Sequence, residues 1–226
     1  MRNSIPDAVG RRERRAAGYR GRILKAGERL ITTKGYDAFS MDELARAVRC
    51  TKRTIYAYFP GKRELFLAVV RRTFIDLNDR VEASLGRLDR VAGRQRIISL
   101  GKALLEYYQA NPDAFSVIAD FESRETDFTP GGEAETCYRE GERLMLLLKK
   151  NLERGIRDGS VRASLPVNAT AVLLWSVLSG VIITLARKKP YLEHAHGVKP
   201  ETLFTEAERL IGRALQPETP AERRQT

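Results

Sequence analysis

Residues 35–65 read GYDAFSMDELARAVRCTKRTIYAYFPGKREL, and the fold turns on them. Gly35 suits the left-handed position just past a helix end. Ser40 is a good N-cap, and Glu43 three residues later completes a capping box. The helix that follows is short and turns Leu44, Ala45 and Val48 inward. A second helix starts at Thr51 or Lys52, buries Ile55 and Phe59, and stops at Pro60-Gly61. Two short helices around a tight turn follow helix-turn-helix logic, in which the second helix enters the major groove and presents its N-terminal side chains to base edges. The candidate DNA contacts are Ser40, Thr51, Lys52, Arg53, Tyr56, Tyr58 and Lys62. Arg53 carries the fork that pairs with guanine, and Lys52, Tyr56, Tyr58 and the backbone near Ser40 are placed for phosphates. Lys62 opens the next helix, where the helix N-terminus and the side chain both favour a phosphate. Two short helices also describe ordinary core, so spacing alone leaves that plainer reading open.

Charge moves the balance toward DNA. The 226 residues hold 40 Lys plus Arg against 29 Asp plus Glu, a net of +11. Residues 1–66 hold 16 basic against 7 acidic side chains, +9, and residues 67–226 hold 24 against 22, +2. A basic head on a near-neutral body expects a polyanion, either nucleic acid or an anionic membrane surface. Two cysteines, Cys50 and Cys137, make neither a disulfide framework nor a zinc site. The polar, Arg-rich first 15 residues do not read as a secretory signal, and a cytoplasmic location is expected.

Outward from the motif, helical periodicity dominates and strand alternation is nearly absent. The expected class is all-α, with nine or ten helices and no sheet. Helices are expected over about 19–34, from Lys62 to about Leu85, over 94–111, from Pro112 through Phe121, over 133–157, from Pro166 to about Lys188, and over 202–215. Residues 190–200 read as a loop. The expected division is a disordered basic arm at 1–18, a helix-turn-helix domain at 19–66, a helical regulatory, ligand-binding and dimerisation domain at 67–215, and a disordered tail at 216–226.

The residues Gly35-Tyr36, Phe39-Ser40-Met41, Leu44-Ala45 and Thr51-Lys52-Arg53-Thr54-Ile55-Tyr56-Ala57-Tyr58-Phe59-Pro60-Gly61-Lys62-Arg63-Glu64-Leu65 resemble the N-terminal domain of TetR/AcrR-type transcriptional regulators. The resemblance covers about residues 19–66. Gly155-Ile156-Arg157-x-Gly159 followed by Pro166 is similar, more loosely, to the family's C-terminal region. The resemblance implies a bacterial homodimer, a variable ligand-binding body, no enzyme activity, and a dimer interface on the last two long helices. The expected function is a regulator bound to double-stranded operator DNA, a repressor released by a small effector, with repression and activation not distinguished by the sequence. The chain departs from the pattern at three places. Arg49 stands where glycine is usual in the turn, Arg53 where glycine is frequent, and Tyr58 where histidine is frequent. If position 49 has positive φ, a non-glycine residue there costs roughly 1 kcal/mol.

The body supplies the other candidates. Phe74, Leu104, Tyr108, Phe121, Tyr138 and Trp175 lie on inward stripes of different or adjacent helices and are expected to line a cavity for an apolar or amphipathic molecule. Residues 163–186 carry no charge. Length alone makes this segment a candidate membrane span, but Ser164, Pro166, Asn168 and Thr170 shorten its densely apolar part, and a helix with two apolar sides in a protein without a membrane partner is the expectation. Leu174, Leu178, Val181, Ile182 and Leu185 suit the protein's own core. Leu173, Ser176, Gly180, Ile183 and Thr184 form the other side. With Leu210, the residues Leu173, Ser176, Gly180 and Ile183 are the expected dimer interface.

The sequence lacks the phosphate-loop, dinucleotide, zincin and serine-elbow motifs, so no catalytic residue, metal ligand or cofactor is expected. His194-x-His196 reads as a surface loop and Cys50 as a small apolar filler. Arg11, Arg12, Arg14 and Arg15 are in reach of a minor groove as a basic arm, or are a solvated tail. A protein that meets anionic lipid through its basic head, and a helical enzyme of unrecognised type, remain the competing readings.

Overall fold

The computed structural model describes residues 5–124 and 133–217, with side chains from 16 to 124 and from 134 to 217. The described residues are mostly helical, and no strand occurs among them. The helices are α1 (Ile5–Lys34), α2 (Met41–Val48), α3 (Lys52–Tyr58), α4 (Lys62–Gly86), α5 (Gly93–Ala110), α6 (Pro112–Glu122), α7 (Glu133–Arg157), α8 (Val167–His196) and α9 (Pro200–Ala214).

Local signals set most boundaries. Ser40 Oγ accepts the Glu43 N–H at 3.2 Å while Glu43 Oε2 accepts the Ser40 N–H at 3.0 Å, the expected capping box. Thr51 caps α3 by accepting the Thr54 N–H. Pro112 sits in the first turn of α6, where its missing N–H has no partner to lose. Gly35 has φ +83 and ends α1.

Two expectations are corrected. The segment 1–18 was expected outside regular structure, but α1 starts at Ile5. The packed part of α1, with Ile23, Leu24 and Ile31 buried, nucleates a helix that the Arg- and Ala-rich sequence before it then extends at little cost per residue. Gly10 and Gly18 do not stop it. Residues 1–4 and the tail beyond 217 lie outside the described residues, as do the side chains of the arm arginines 11, 12, 14 and 15. The expected loop at 190–200 is largely helix as well. α8 runs through Pro190 to His196 and ends at Gly197, φ +62, whose N–H reaches the Glu193 carbonyl at 3.2 Å. Residues 186–191 are exposed, so water can take the carbonyl that proline leaves unpaired, and that makes it tolerable there.

α4 is the central element. It packs against α1, α5, α6 and α7, while α8 lies on α5, α6, α7 and α9. Leu65, Val70, Leu77, Val81, Leu100, Leu104, Leu148 and Ile182 are fully enclosed or nearly so. Buried Asn78 on α4 donates to the Glu140 carbonyl of α7 at 2.8 Å. The start of α5 is capped from a distance. The Gly93 N–H donates to Asp158 Oδ2 at 2.8 Å and the Arg94 N–H to Ser160 Oγ at 3.1 Å. Desolvation pulls the Asp158 carboxyl upward, but hydrogen bonds from Ser160 and the Gly93 N–H outweigh it, and its pKa lies below the ordinary value.

Candidate functional site

The head consists of α1, α2, α3 and the start of α4. Ile23, Leu44, Ala45, Ile55, Phe59 and Leu65 are buried there. α3 therefore turns Ile55 and Phe59 inward and leaves Thr51, Lys52, Arg53 and Tyr56 exposed on its outer side. Arg49, between α2 and α3, has φ 59 and ψ 53, the left-handed conformation that glycine adopts without strain. Arg49 is exposed.

The candidate DNA contacts divide by what already holds them. Ser40 is occupied as a cap. Lys52 Nζ pairs with Asp42 Oδ2 at 3.0 Å, and that partner raises its pKa. An ion pair between exposed groups is weak enough to yield to a phosphate. Arg53 and Tyr56 face outward on the same side, three residues apart. Tyr58 is half-buried, its ring stacked on Tyr19 with centroids 5.5 Å apart, so packing is its first role. Lys62 donates to the Asp37 carbonyl at 3.0 Å and lies 4.6 Å over Phe39 and 5.0 Å over Tyr36. It fastens the α1–α2 connection to α4. Cys50 is half-buried against the core.

The body holds a half-open cavity of about 230 Å³ between α4, α6, α7 and α8. Its walls include Phe74, Phe121, Tyr138 and Trp175, four of the six residues expected to line it. Leu104 and Tyr108 lie elsewhere. Leu104 is wholly enclosed in the core, and Tyr108 sits edge-on to Phe115 at 6.1 Å. Tyr108 meets α6 through Phe115, Leu104 belongs to the core, and neither lines the void. The structure adds Glu122, Cys137, Gly141, Glu142, Leu144 and Met145 to the wall. Sequence gave two usable hints, a glycine inside the α7 helix and an indole N–H that needs an acceptor. That acceptor is Glu122 Oε1, 3.0 Å from Trp175 Nε1. Glu122 stands at the mouth, with much of its surface reaching solvent. Protein still crowds its carboxyl enough for desolvation to raise the pKa, against the lowering effect of the indole bond.

A second cavity, about 410 Å³, lies between α1, α4 and α7. Arg20, Arg71 and Arg72 supply its charge, and Cys137 borders both cavities.

Two links between head and cavity were not visible in the sequence. Arg124, just past α6, donates to Asp37 Oδ2 at 2.9 Å and lies 4.5 Å over Tyr36. Its hydrogen bond holds the Asp37 carboxyl below the usual carboxylate range. Aromatic rings also run from head to cavity. Tyr36 meets Phe66 at 4.7 Å, Phe66 meets Phe121 at 6.4 Å, and Phe121 meets Tyr138 at 5.4 Å.

On the remaining face, α8 buries Leu174, Leu178, Ile182 and Leu185 and half-buries Val181. Leu173 is 63% exposed and Leu210 59%. Ser176 and Gly180 are exposed, and Ile183 is half-buried. α8 is long and apolar enough to cross a membrane, a test that the core helix of a non-membrane protein also passes.

Comparison with known proteins agrees with this geometry. Residues 23–69 match the family model for bacterial regulatory proteins of the tetR family. The HTH-type transcriptional repressor NicS of Pseudomonas putida is 28% identical over 111 residues, 49% of this chain and 51% of that protein. The HTH-type transcriptional activator FasR of Mycolicibacterium smegmatis is 29% identical over 99 residues, 44% of each. The chain thus spans about half the length of the curated relatives it matches. A transcriptional regulator from Saccharomonospora viridis, solved in complex with choline, superposes with a TM-score of 0.73 at 21% identity, covering 89% of this chain and 100% of that one. These relatives are transcriptional regulators, not enzymes. The head, at residues 23–69, thus matches the tetR family of bacterial regulatory proteins, and the helical body shares the fold of solved regulators of that kind.

Proposed function

We propose that the chain is a cytoplasmic, homodimeric transcriptional repressor that binds double-stranded operator DNA through its head, 19–66, and leaves it when a small ligand occupies the body, 67–215. The observation that carries the reading is α3, whose Lys52, Arg53 and Tyr56 are exposed opposite buried Ile55 and Phe59. An apolar inner face fixes the helix, and an outer face of donors, with Lys52 in a weak exposed ion pair, can meet base edges and phosphates. The cavity supports an effector site, and the choline bound by the Saccharomonospora protein is an example of a small ligand carried on this fold. The exposed apolar side of α8, with Leu210 of α9, supports a two-fold interface in which each helix meets its symmetry mate. Repression, rather than activation, follows the NicS name, and FasR is the opposite example.

Binding to DNA from beside the gene, measured across salt concentration, tests the reading. Arg53→Ala is expected to lose roughly 1–3 kcal/mol and relax preference at one base per half-site, the range for a bidentate contact. Lys62→Ala is expected to weaken all sequences alike, with a flatter salt slope. Both variants binding like the parent protein would remove α3 from the groove.

A further inference from the structure

We infer that the cavity between α4, α6, α7 and α8 is built for an organic cation, a quaternary or protonated alkyl amine, held by aromatic faces and the Glu122 carboxylate. This rests on the reading of that cavity as the effector site.

Rings line it from four helices: Phe74 on α4, Phe121 on α6, Tyr138 on α7 and Trp175 on α8. Aromatic faces carry negative potential and attract a desolvated cation. Among the described residues, the charged side chains on the wall are both carboxylates, Glu122 and Glu142. Glu122 is held in place, because its Oε1 takes the indole N–H of Trp175 at 3.0 Å. Among the described residues, no Lys or Arg lies on that wall. The protein crowding this carboxyl at the mouth already disfavours its charged form, and a cation there offsets that cost where a neutral ligand leaves it in place. An anionic amphiphile would add a like charge. Such a ligand has a better place in the second cavity, where Arg20, Arg71 and Arg72 supply the charge.

Size agrees. About 230 Å³ is roughly eight water volumes at ~30 Å³ each, room for a small amine rather than a long chain. Gly141 sets part of that room. A Cβ at this position would lie 3.8 Å from Phe74 Cζ, ordinary contact, so only a longer side chain fills the void.

The test uses the full-length protein, its single tryptophan as reporter, and three probes of matched shape. They are acetylcholine, its uncharged isostere 3,3-dimethylbutyl acetate, and the anion 3,3-dimethylbutyrate. Acetylcholine is expected to quench Trp175 and bind about tenfold or more tighter than the uncharged ester, in line with a desolvated cation–aromatic contact. Glu122→Gln keeps an acceptor for the indole and is expected to bring the two within about threefold of each other, leaving the ester's own affinity unchanged. Gly141→Met, checked for parental thermal stability, is expected to abolish both. The ester or the anion binding as well as acetylcholine, or an undiminished preference in Glu122→Gln, overturns the cation inference. If either of those probes also releases operator DNA, the effector-site reading survives that failure. If no probe moves the fluorescence at millimolar concentration, while Gly141→Met and the parent protein behave alike, the inference and the cavity reading fall together.

Discussion

The junction of α5 and α7 gives the sharpest stability prediction. A Cβ added at Gly93 would fall well inside van der Waals contact of the Gly155 N and Cα, and 2.7 Å from the Asn151 carbonyl oxygen. All three are backbone atoms of a packed helix, so no side-chain rotation relieves the clash. Gly155 faces the same restriction from the other side, where a Cβ would meet Val161 Cγ2 and approach the Arg94 N at 3.3 Å. Gly93→Ala must therefore push α5 off α7, breaking the 2.8 Å bond to Asp158 and loosening what α5 packs on. Overpacking a well-filled site costs typically 1–3 kcal/mol, and more where the backbone must move. About 3 kcal/mol is the expected loss, which for a chain of this size lowers the melting temperature by about 6–12 °C. Gly21→Ala is the internal control. It sits inside α1 with nothing within 4 Å of the new Cβ, and should stabilise by about 0.4–1 kcal/mol through the unfolded state. Urea titration of both variants settles the matter. Gly93→Ala within about 0.5 kcal/mol of the parent protein, a change no larger than an ordinary surface substitution, would show that the two backbones are not in contact.

Four further outcomes are expected. Arg49→Gly should stabilise the head by about 1 kcal/mol, because φ 59 strains a residue with a Cβ; a loss of stability in calorimetry would show that the Arg49 side chain outweighs that strain. Leu173→Asp should turn the proposed dimer to monomer in sedimentation, since it places a charge on the most exposed large apolar residue of α8; a parent protein that is monomeric, or a variant that stays dimeric, refutes the proposed interface. Asp37 has a depressed folded-state pKa, so its contribution is present above the unfolded value near 3.9 and is lost as pH falls through the lower folded value. Arg124→Gln should flatten that part of the acid limb, and an unaltered limb refutes the link. Arg124→Ala should keep most of the affinity for operator and for ligand measured separately, yet lower the factor by which one weakens the other. An unchanged factor means that Arg124 carries no coupling.

The head was legible because its signals are local. Ser40 with Glu43, Thr51 before α3 and Gly35 after α1 each act within one helical turn, and chain position alone exposes them. The two sides of α8 were legible for the same reason, since periodicity separates Leu174, Leu178 and Ile182 from Leu173, Ser176 and Gly180. The cavity was half legible. Phe121 and Tyr138 look no different in sequence from Tyr108, and which ring borders a void depends on how α6 and α7 cross. Asp37 with Arg124 is separated by 87 positions, and no pattern of periodicity or spacing marks such a pair. The helical extension of α1 and the passage of α8 through Pro190 were missed for a common reason. Composition shows whether a segment can bury a face, not whether a packed neighbouring turn carries it along.

The placement of Phe121 and Arg124 at one end of α6 bears on how a ligand could act at a distance. Phe121 forms cavity wall and also touches Phe66, and Phe66 touches Tyr36 in the head. Arg124, three residues on, clasps Asp37 and covers the same Tyr36. A ligand that displaces Phe121 therefore cannot leave the α1–α2 connection unchanged unless one of these contacts gives. Tight packing favours discrete rearrangement over gradual deformation. Lys62, which anchors that connection to α4 through the Asp37 carbonyl, belongs to the same unit, so the orientation of α2 and α3 follows from where α4 and α6 sit. The energy for any shift is limited to the ligand's differential affinity for the two arrangements. If the proposed ligand weakens operator binding, then by reciprocity operator weakens ligand binding by the same factor. A cavity of about 230 Å³ admits a ligand with few contacts, and a factor of 5–150, the usual range of such coupling, needs those contacts concentrated on the group that moves. Phe121 and Glu122, adjacent on α6 and both on the wall, are placed to supply that concentration.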